Sequence, residues 1–89
     1  QNYPNPFNPS TVIAYTLPGG GRSYDVSLRV YNLLGQEVAT LVQQERLAGY
    51  HQETFDAQNF ASGIYIYQLI ATAADGTRFT ARRAMVLVK

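Results

Sequence analysis

The sequence contains no cysteine. That absence rules out a disulfide framework and any thiolate metal site, so a domain of this size must be held by packing alone. Also missing is the run of roughly 20 consecutive apolar residues that a membrane-spanning helix requires. No charge of one sign dominates: seven Lys and Arg stand against six Asp and Glu, a formal net charge of +1. The basic residues Arg22, Arg29, Arg46, Arg78, Arg82, Arg83 and Lys89 are scattered rather than massed, which leaves no footprint for a nucleic acid. No internal period marks a solenoid or a propeller. The chain starts at Gln1 with neither an initiator Met nor a secretory signal pattern, so it is expected to be a piece of a longer protein.

The residues of common catalytic chemistry are equally scarce. The single histidine, His51, has no serine motif beside it for nucleophilic catalysis, and it reads as a partly exposed strand residue. With Glu53 it supplies two candidate ligands where a zinc site wants three or four. The six carboxylates fall in different turns and strands, and they read as solvated surface charge rather than a glycosidase pair. Gly19-Gly20-Gly21-Arg22 lacks the Gly-Lys-Ser or Gly-Lys-Thr ending of a phosphate-binding loop, and Asp75-Gly76 lacks the alternating oxygen ligands of a calcium loop. No catalytic residue, metal site or cofactor is expected, and the chain does not read as an enzyme.

What the sequence does hold is strand signal. Its 89 residues are enough for one core, and 46% of them are apolar. Three of the four prolines lie in residues 1–10, where they remove backbone donors and disfavour helix, so an extended lead-in is expected there. Residues 11–89 then form the folded domain. Ile13, Tyr15 and Leu17 share one face of a first strand, and Val26, Leu28 and Val30 alternate with Asp25, Ser27 and Arg29 in a second. Asn32-Leu33-Leu34-Gly35 is a turn, after which Val38 and Leu41 stand three apart, the spacing of a bulge or a short helical stretch. A strand over residues 50–56 puts His51, Glu53 and Phe55 on one face, with Phe55 as its anchor and Phe60 plugging the core from the next loop. Gly63 opens a strand that sends Tyr65, Tyr67 and Leu69 inward and leaves Ile64, Ile66 and Ile70 needing a cover. Asp75-Gly76 signals a hairpin, and the strand that returns from it carries Met85 and Leu87 inward. About seven short strands with turns between them predict an all-β, immunoglobulin-like antiparallel β-sandwich.

Several of these segments also carry a family likeness. The opening Asn2-Tyr3-Pro4-Asn5-Pro6-Phe7-Asn8-Pro9-Ser10-Thr11, the hairpin Val30-Tyr31-Asn32-Leu33-Leu34-Gly35-Gln36-Glu37-Val38, the strand Ala61-Ser62-Gly63-Ile64-Tyr65-Ile66-Tyr67-Gln68-Leu69 and the ending Met85-Val86-Leu87-Val88-Lys89 resemble the C-terminal sorting domain of the type IX (Por) secretion system, type A. The resemblance marks Asn5, Pro6, Phe7, Asn8, Pro9, Gly35, Gly63 and Tyr65 as motif residues. It implies a label at the C-terminus of a larger exported cargo, with a periplasmic stage and a final place on the cell surface or in the medium. The partners it implies are the outer-membrane translocon, a cell-surface sortase-like peptidase and the cargo domain that precedes the label. Two departures stand out. Glu53 replaces a usually apolar residue, which puts the inward register of its strand in question, and the last hairpin around Ala74-Asp75-Gly76-Thr77 is longer.

A label without catalytic groups must be read by shape, backbone and a few side chains. The expected recognition residues are Arg82, Arg83, Met85, Val86, Leu87, Val88 and Lys89, offered through strand pairing and charge. The competing reading of Arg82 and Arg83 is that they only protect a sheet edge from aggregation. The lead-in is either a semi-rigid spacer or an edge segment packed along the sandwich. A dimer through an uncovered strand stays open. The alternative functions are a carbohydrate-binding module, with Tyr24, Tyr31 and Tyr50 as an exposed platform, and a passive spacer module of a secreted enzyme.

Overall fold

A computed structural model describes residues 2–89; residue 1 of the expected lead-in lies outside the described residues. Seven strands follow one another: β1 (Asn2–Tyr3), β2 (Ser10–Leu17), β3 (Ser23–Tyr31), β4 (Glu37–Leu47), β5 (Gly49–Asp56), β6 (Gly63–Ala73) and β7 (Arg78–Leu87). They form a three-stranded sheet in the order β1-β2-β5 and a four-stranded sheet in the order β4-β3-β6-β7, antiparallel throughout. This is the immunoglobulin-like sandwich that the alternation predicts, with no helix among the described residues.

Period-two alternation decides which side chains fill the space between the sheets. β2 turns Thr11, Ile13, Tyr15 and Leu17 inward, β3 turns Tyr24, Val26, Leu28 and Val30, and β6 turns Tyr65, Tyr67, Leu69, Ala71 and Ala73. Each Leu or Val so buried stabilises the fold by about 1.5–3 kcal/mol relative to an exposed position. The spacing of Val38 and Leu41 resolves as bulges: the register steps from Leu28↔Val42 to Arg29↔Thr40 and from Val30↔Ala39 to Tyr31↔Glu37, so Leu41 and Val38 are the extra residues. Because β4 lies at the edge of its sheet, these bulges twist away a row of backbone groups that would otherwise invite pairing.

The lead-in packs along the sandwich. Asn2 and Tyr3 pair with Ile13 and Val12. The Asn2 amide donates to Pro4 O (3.0 Å) and Thr11 Oγ1 (3.1 Å), and the Thr11 hydroxyl donates to Pro4 O at 2.8 Å. Pro9 O accepts the Ala57 amide at 2.9 Å, and between these anchors Phe7 enters the core.

Glu53 keeps the inward register despite its charge, because it pairs with Ile13 two residues before the buried Phe55 pairs with Thr11. The carboxylate is compensated from both sheets. Arg46 Nη2 on β4 lies 3.2 Å from Glu53 Oε2, and the Tyr15 hydroxyl donates to the same oxygen at 3.3 Å. Both partners are partly exposed at the open side of the sandwich, which limits the desolvation cost that a deeply buried pair would carry. His51 lies beside the Tyr15 ring (5.4 Å between centroids) and donates from Nε2 to Leu47 O at 2.7 Å. Burial first, and the Glu53 charge second, push the Tyr15 phenol from 10.0 up to about 12, against the opposing pull of Arg46.

A raised phenol binds its proton more tightly in the folded chain than in the unfolded one. Its contribution to stability is therefore complete below pH 10.0 and is lost as the pH rises through about 12. Urea unfolding between these limits should show a falling midpoint, and Glu53→Gln should shrink the fall without abolishing it, since burial is the larger cause. A midpoint independent of pH in that window would contradict the assignment.

Candidate recognition surface

β7 closes one edge of the four-stranded sheet, and its two halves are treated differently. Along the C-terminal half the lead-in takes the place of a further strand. The Phe7 amide donates to Val86 O at 2.9 Å, the Val88 amide donates to Phe7 O at 2.9 Å, and Phe7 forms a parallel bridge with Leu87. One step further along the edge, Pro6 has no N–H to offer. There the side chain of Asn5 stands in for a peptide group: its Oδ1 accepts the Val86 amide at 2.9 Å, and its Nδ2 approaches Ala84 O at 3.5 Å. This accounts physically for the Asn5-Pro6-Phe7 order. The ring of Phe7 lies 5.9 Å from that of Phe55, so one residue bonds to the four-stranded sheet and packs on the three-stranded one. Asn8 and Pro9 lie exposed beside it, and the Pro9 carbonyl continues the tether to Ala57.

The remaining motif residues shape turns and the core. Gly35 has φ 81°, a left-handed conformation that side chains disfavour, at the tip of the β3–β4 hairpin. Asn32 Oδ1 accepts the amides of Leu34 (2.9 Å) and Gln36 (3.0 Å), which fixes that turn and leaves Leu34 83% exposed. Gly63, at φ 153°, begins β6. Tyr65 pairs with Met85 across the ladder, lies tilted against the Phe60 ring (6.1 Å between centroids) and donates its hydroxyl to Ala61 O at 2.7 Å.

The expected recognition residues separate into two groups. Met85 (0% exposed) and Leu87 (1%) are core side chains, and Val86 is half-buried under the Asn5 contact. Arg82, Arg83, Val88 and Lys89 are exposed. Arg82 shares the outer face with Gln68, whereas Arg83 lies beside the inward Tyr67 and is nevertheless exposed. Lys89 is tied back to the β5–β6 loop: its amide donates to Ser62 Oγ at 3.1 Å, and its Nζ contacts Gln58 O. Missing from the sequence reading was the bond between the two chain ends, which joins segments too far apart for local spacing to report. The proposed tyrosine platform is corrected. Tyr24 is buried at 1% with its hydroxyl donating to Pro18 O at 2.6 Å, Tyr31 is half-buried, and Tyr50 (62% exposed) belongs to the other sheet. Alternation with Val26, Leu28 and Val30 outweighs the nearness of Tyr24 to a turn.

A family model described as the secretion system C-terminal sorting domain matches residues 1–80. The chain belongs to this family. Membership makes it a type IX sorting signal, which implies a larger cargo chain, the type IX secretion machinery, and export to the cell surface or the medium. The family is not a catalytic one. In this sorting domain the matched residues include the Asn5-Pro6-Phe7 clamp and stop at Thr80, within β7. Searches of curated proteins and of solved structures found no match.

The clamp can be tested directly. Phe7→Ala should cost about 3–5 kcal/mol, the usual loss for a buried aromatic, and Asn5→Ala about 1 kcal/mol, both read from urea midpoints. Hydrogen exchange at the Val86 amide should quicken in Asn5→Ala while that of Leu28 holds. Unchanged stability in Phe7→Ala would mean that the lead-in is not part of the core.

Proposed function

We propose that these residues are the address label by which a cargo protein, made with its own N-terminal export signal, is taken from the periplasm through the type IX outer-membrane translocon. The reading rests on the family match over residues 1–80. A sortase-like peptidase at the cell surface then separates label from cargo. The packing of the lead-in supports a cut ahead of Asn2: Asn2 and Tyr3 already pair with β2, so cleavage further in would have to strip a strand and the Phe7 clamp from the sandwich.

The label is read at the end of β7 through Arg82, Arg83, Val88 and Lys89, while Met85 and Leu87 hold the strand in shape from beneath. Deleting Met85–Lys89 would therefore be a poor probe, because it removes two core side chains together with the exposed ones. Exposed positions are better targets, since surface substitutions usually change stability by no more than about 0.5 kcal/mol.

The deciding experiment places all 89 residues at the C-terminus of a fluorescent reporter behind a standard signal peptide, in bacteria with and without a working type IX translocon. The expected result is translocon-dependent appearance of the reporter outside the cell. Periplasmic retention in both strains would end the sorting role for this chain.

A further inference from the structure

The N-terminal half of β7 has no counterpart to the clamp. Backbone groups alternate in direction along a strand. The Val86 amide and carbonyl and the Val88 amide all bond to the lead-in, so the even-numbered residues turn their backbone groups away from β6. By that alternation Thr80 and Arg82 present an N–H and a C=O each to the open edge, and Ala84 presents an N–H. Among the described residues one hydrogen bond touches this row from outside the ladder, from Arg83 Nη1 to Arg82 O at 3.1 Å on the surface.

The side chains along the same stretch combine cations that lack a carboxylate partner with apolar side chains that are only partly covered. Arg78, Arg82 and Arg83 have no carboxylate partner among the described residues, whereas Arg22, Arg29 and Arg46 each have one. Arg78 and Arg82 lie on the outer face, opposite Thr72 and Gln68, and Phe79 and Ala81 lie on the inner face, opposite Ala71 and Leu69. The Phe79 ring lies 5.8 Å from that of Tyr24 and is still 38% exposed, although it is on the inner face. Unlike β4, the other edge of this sheet, β7 pairs with its neighbour without a bulge.

We propose that the open edge from Arg78 to Ala84 receives an extended segment of a partner protein in the secretion machinery, a segment that alternates acidic with apolar residues. The acidic side chains meet Arg78 and Arg82 on the outer face, and the apolar ones cover Phe79 and Ala81 on the inner face. Backbone pairing supplies affinity, and the two rows of side chains supply selectivity. Charge disfavours a second copy paired in the register centred on Thr80. Two-fold antiparallel pairing centred on Thr80 would set Arg78 of each copy against Arg82 of the other, and like charges directly opposed are unfavourable. This inference rests on the sorting role and adds to it: the free half of β7 is a second reading element beside the exposed Val88 and Lys89 that follow the clamp.

The test uses the 89-residue reporter fusion with three changes. Thr80→Pro removes an edge-facing donor while leaving the ladder to β6 intact, Thr80→Val keeps that donor, and Arg78→Glu with Arg82→Glu reverses the exposed charges. Export should fall at least about tenfold for Thr80→Pro and for the charge reversal, and should persist for Thr80→Val. Since the charge reversal alters exposed side chains only, it answers even if the proline variant is unstable. Export of the unchanged fusion together with both disruptive variants would overturn the edge assignment and spare the sorting role. Retention of the unchanged fusion would overturn both. Sedimentation of the unchanged chain as a dimer that Thr80→Pro dissociates would make a second copy the occupant and overturn the acidic partner.

Discussion

Two backbone hydrogen bonds and one aromatic ring tie the beginning of this chain to its end. Phe7 donates to Val86 and accepts from Val88, while its ring packs on Phe55 in the opposite sheet. The two sheets otherwise hold together mainly through side chains, and a domain without disulfides has little else to join them. The clamp therefore does in one place what a disulfide does in many small exported domains. It also fixes where β7 is closed and where it is open, and so governs which backbone groups a partner can reach.

The second constraint is the unequal size of the sheets. A four-stranded sheet over a three-stranded one leaves part of its inner face beyond cover, and β7 bears the consequence. Phe79 and Arg83 point inward yet stay exposed, although the same alternation buries Met85 and Leu87 a few residues later. On the opposite flank the same mismatch brings Arg46 within reach of Glu53, so that a carboxylate on a core face finds both a cation and a phenol without leaving contact with water. The domain thus tolerates a charge on a core-facing strand position, and the inward register survives.

For a sorting signal, these features divide the work between shape and surface. The residues that carry the family resemblance fall mostly on turns, on the clamp and in the core: Gly35 sets a turn, Gly63 opens β6, Tyr65 fills the core, and Asn5 with Phe7 closes an edge. Such residues maintain the frame that displays a strand edge. If the open edge receives a partner as proposed, its exposed residues Arg78, Thr80, Arg82 and Arg83 are where a difference in partner would be written.

The sequence by itself determined the architecture, because a half-buried strand announces its buried face every second residue. Ile13, Tyr15 and Leu17, then Val26, Leu28 and Val30, then Tyr65, Tyr67 and Leu69 were legible in this way, as were the turn at Asn32–Gly35 and the bulge implied by Val38 and Leu41. The opening and closing motifs could both be read as a likeness to a family, and the family match over residues 1–80 reaches the opening one. Only the tertiary structure decided that these motifs bond to each other, that Glu53 is answered by Arg46, and that Tyr24 is core rather than platform. The reason is physical: alternation is a local property of the backbone. Whether an edge is covered, a charge is paired or an inner face is roofed depends on residues from other strands, and their arrival is set by how the two sheets are stacked.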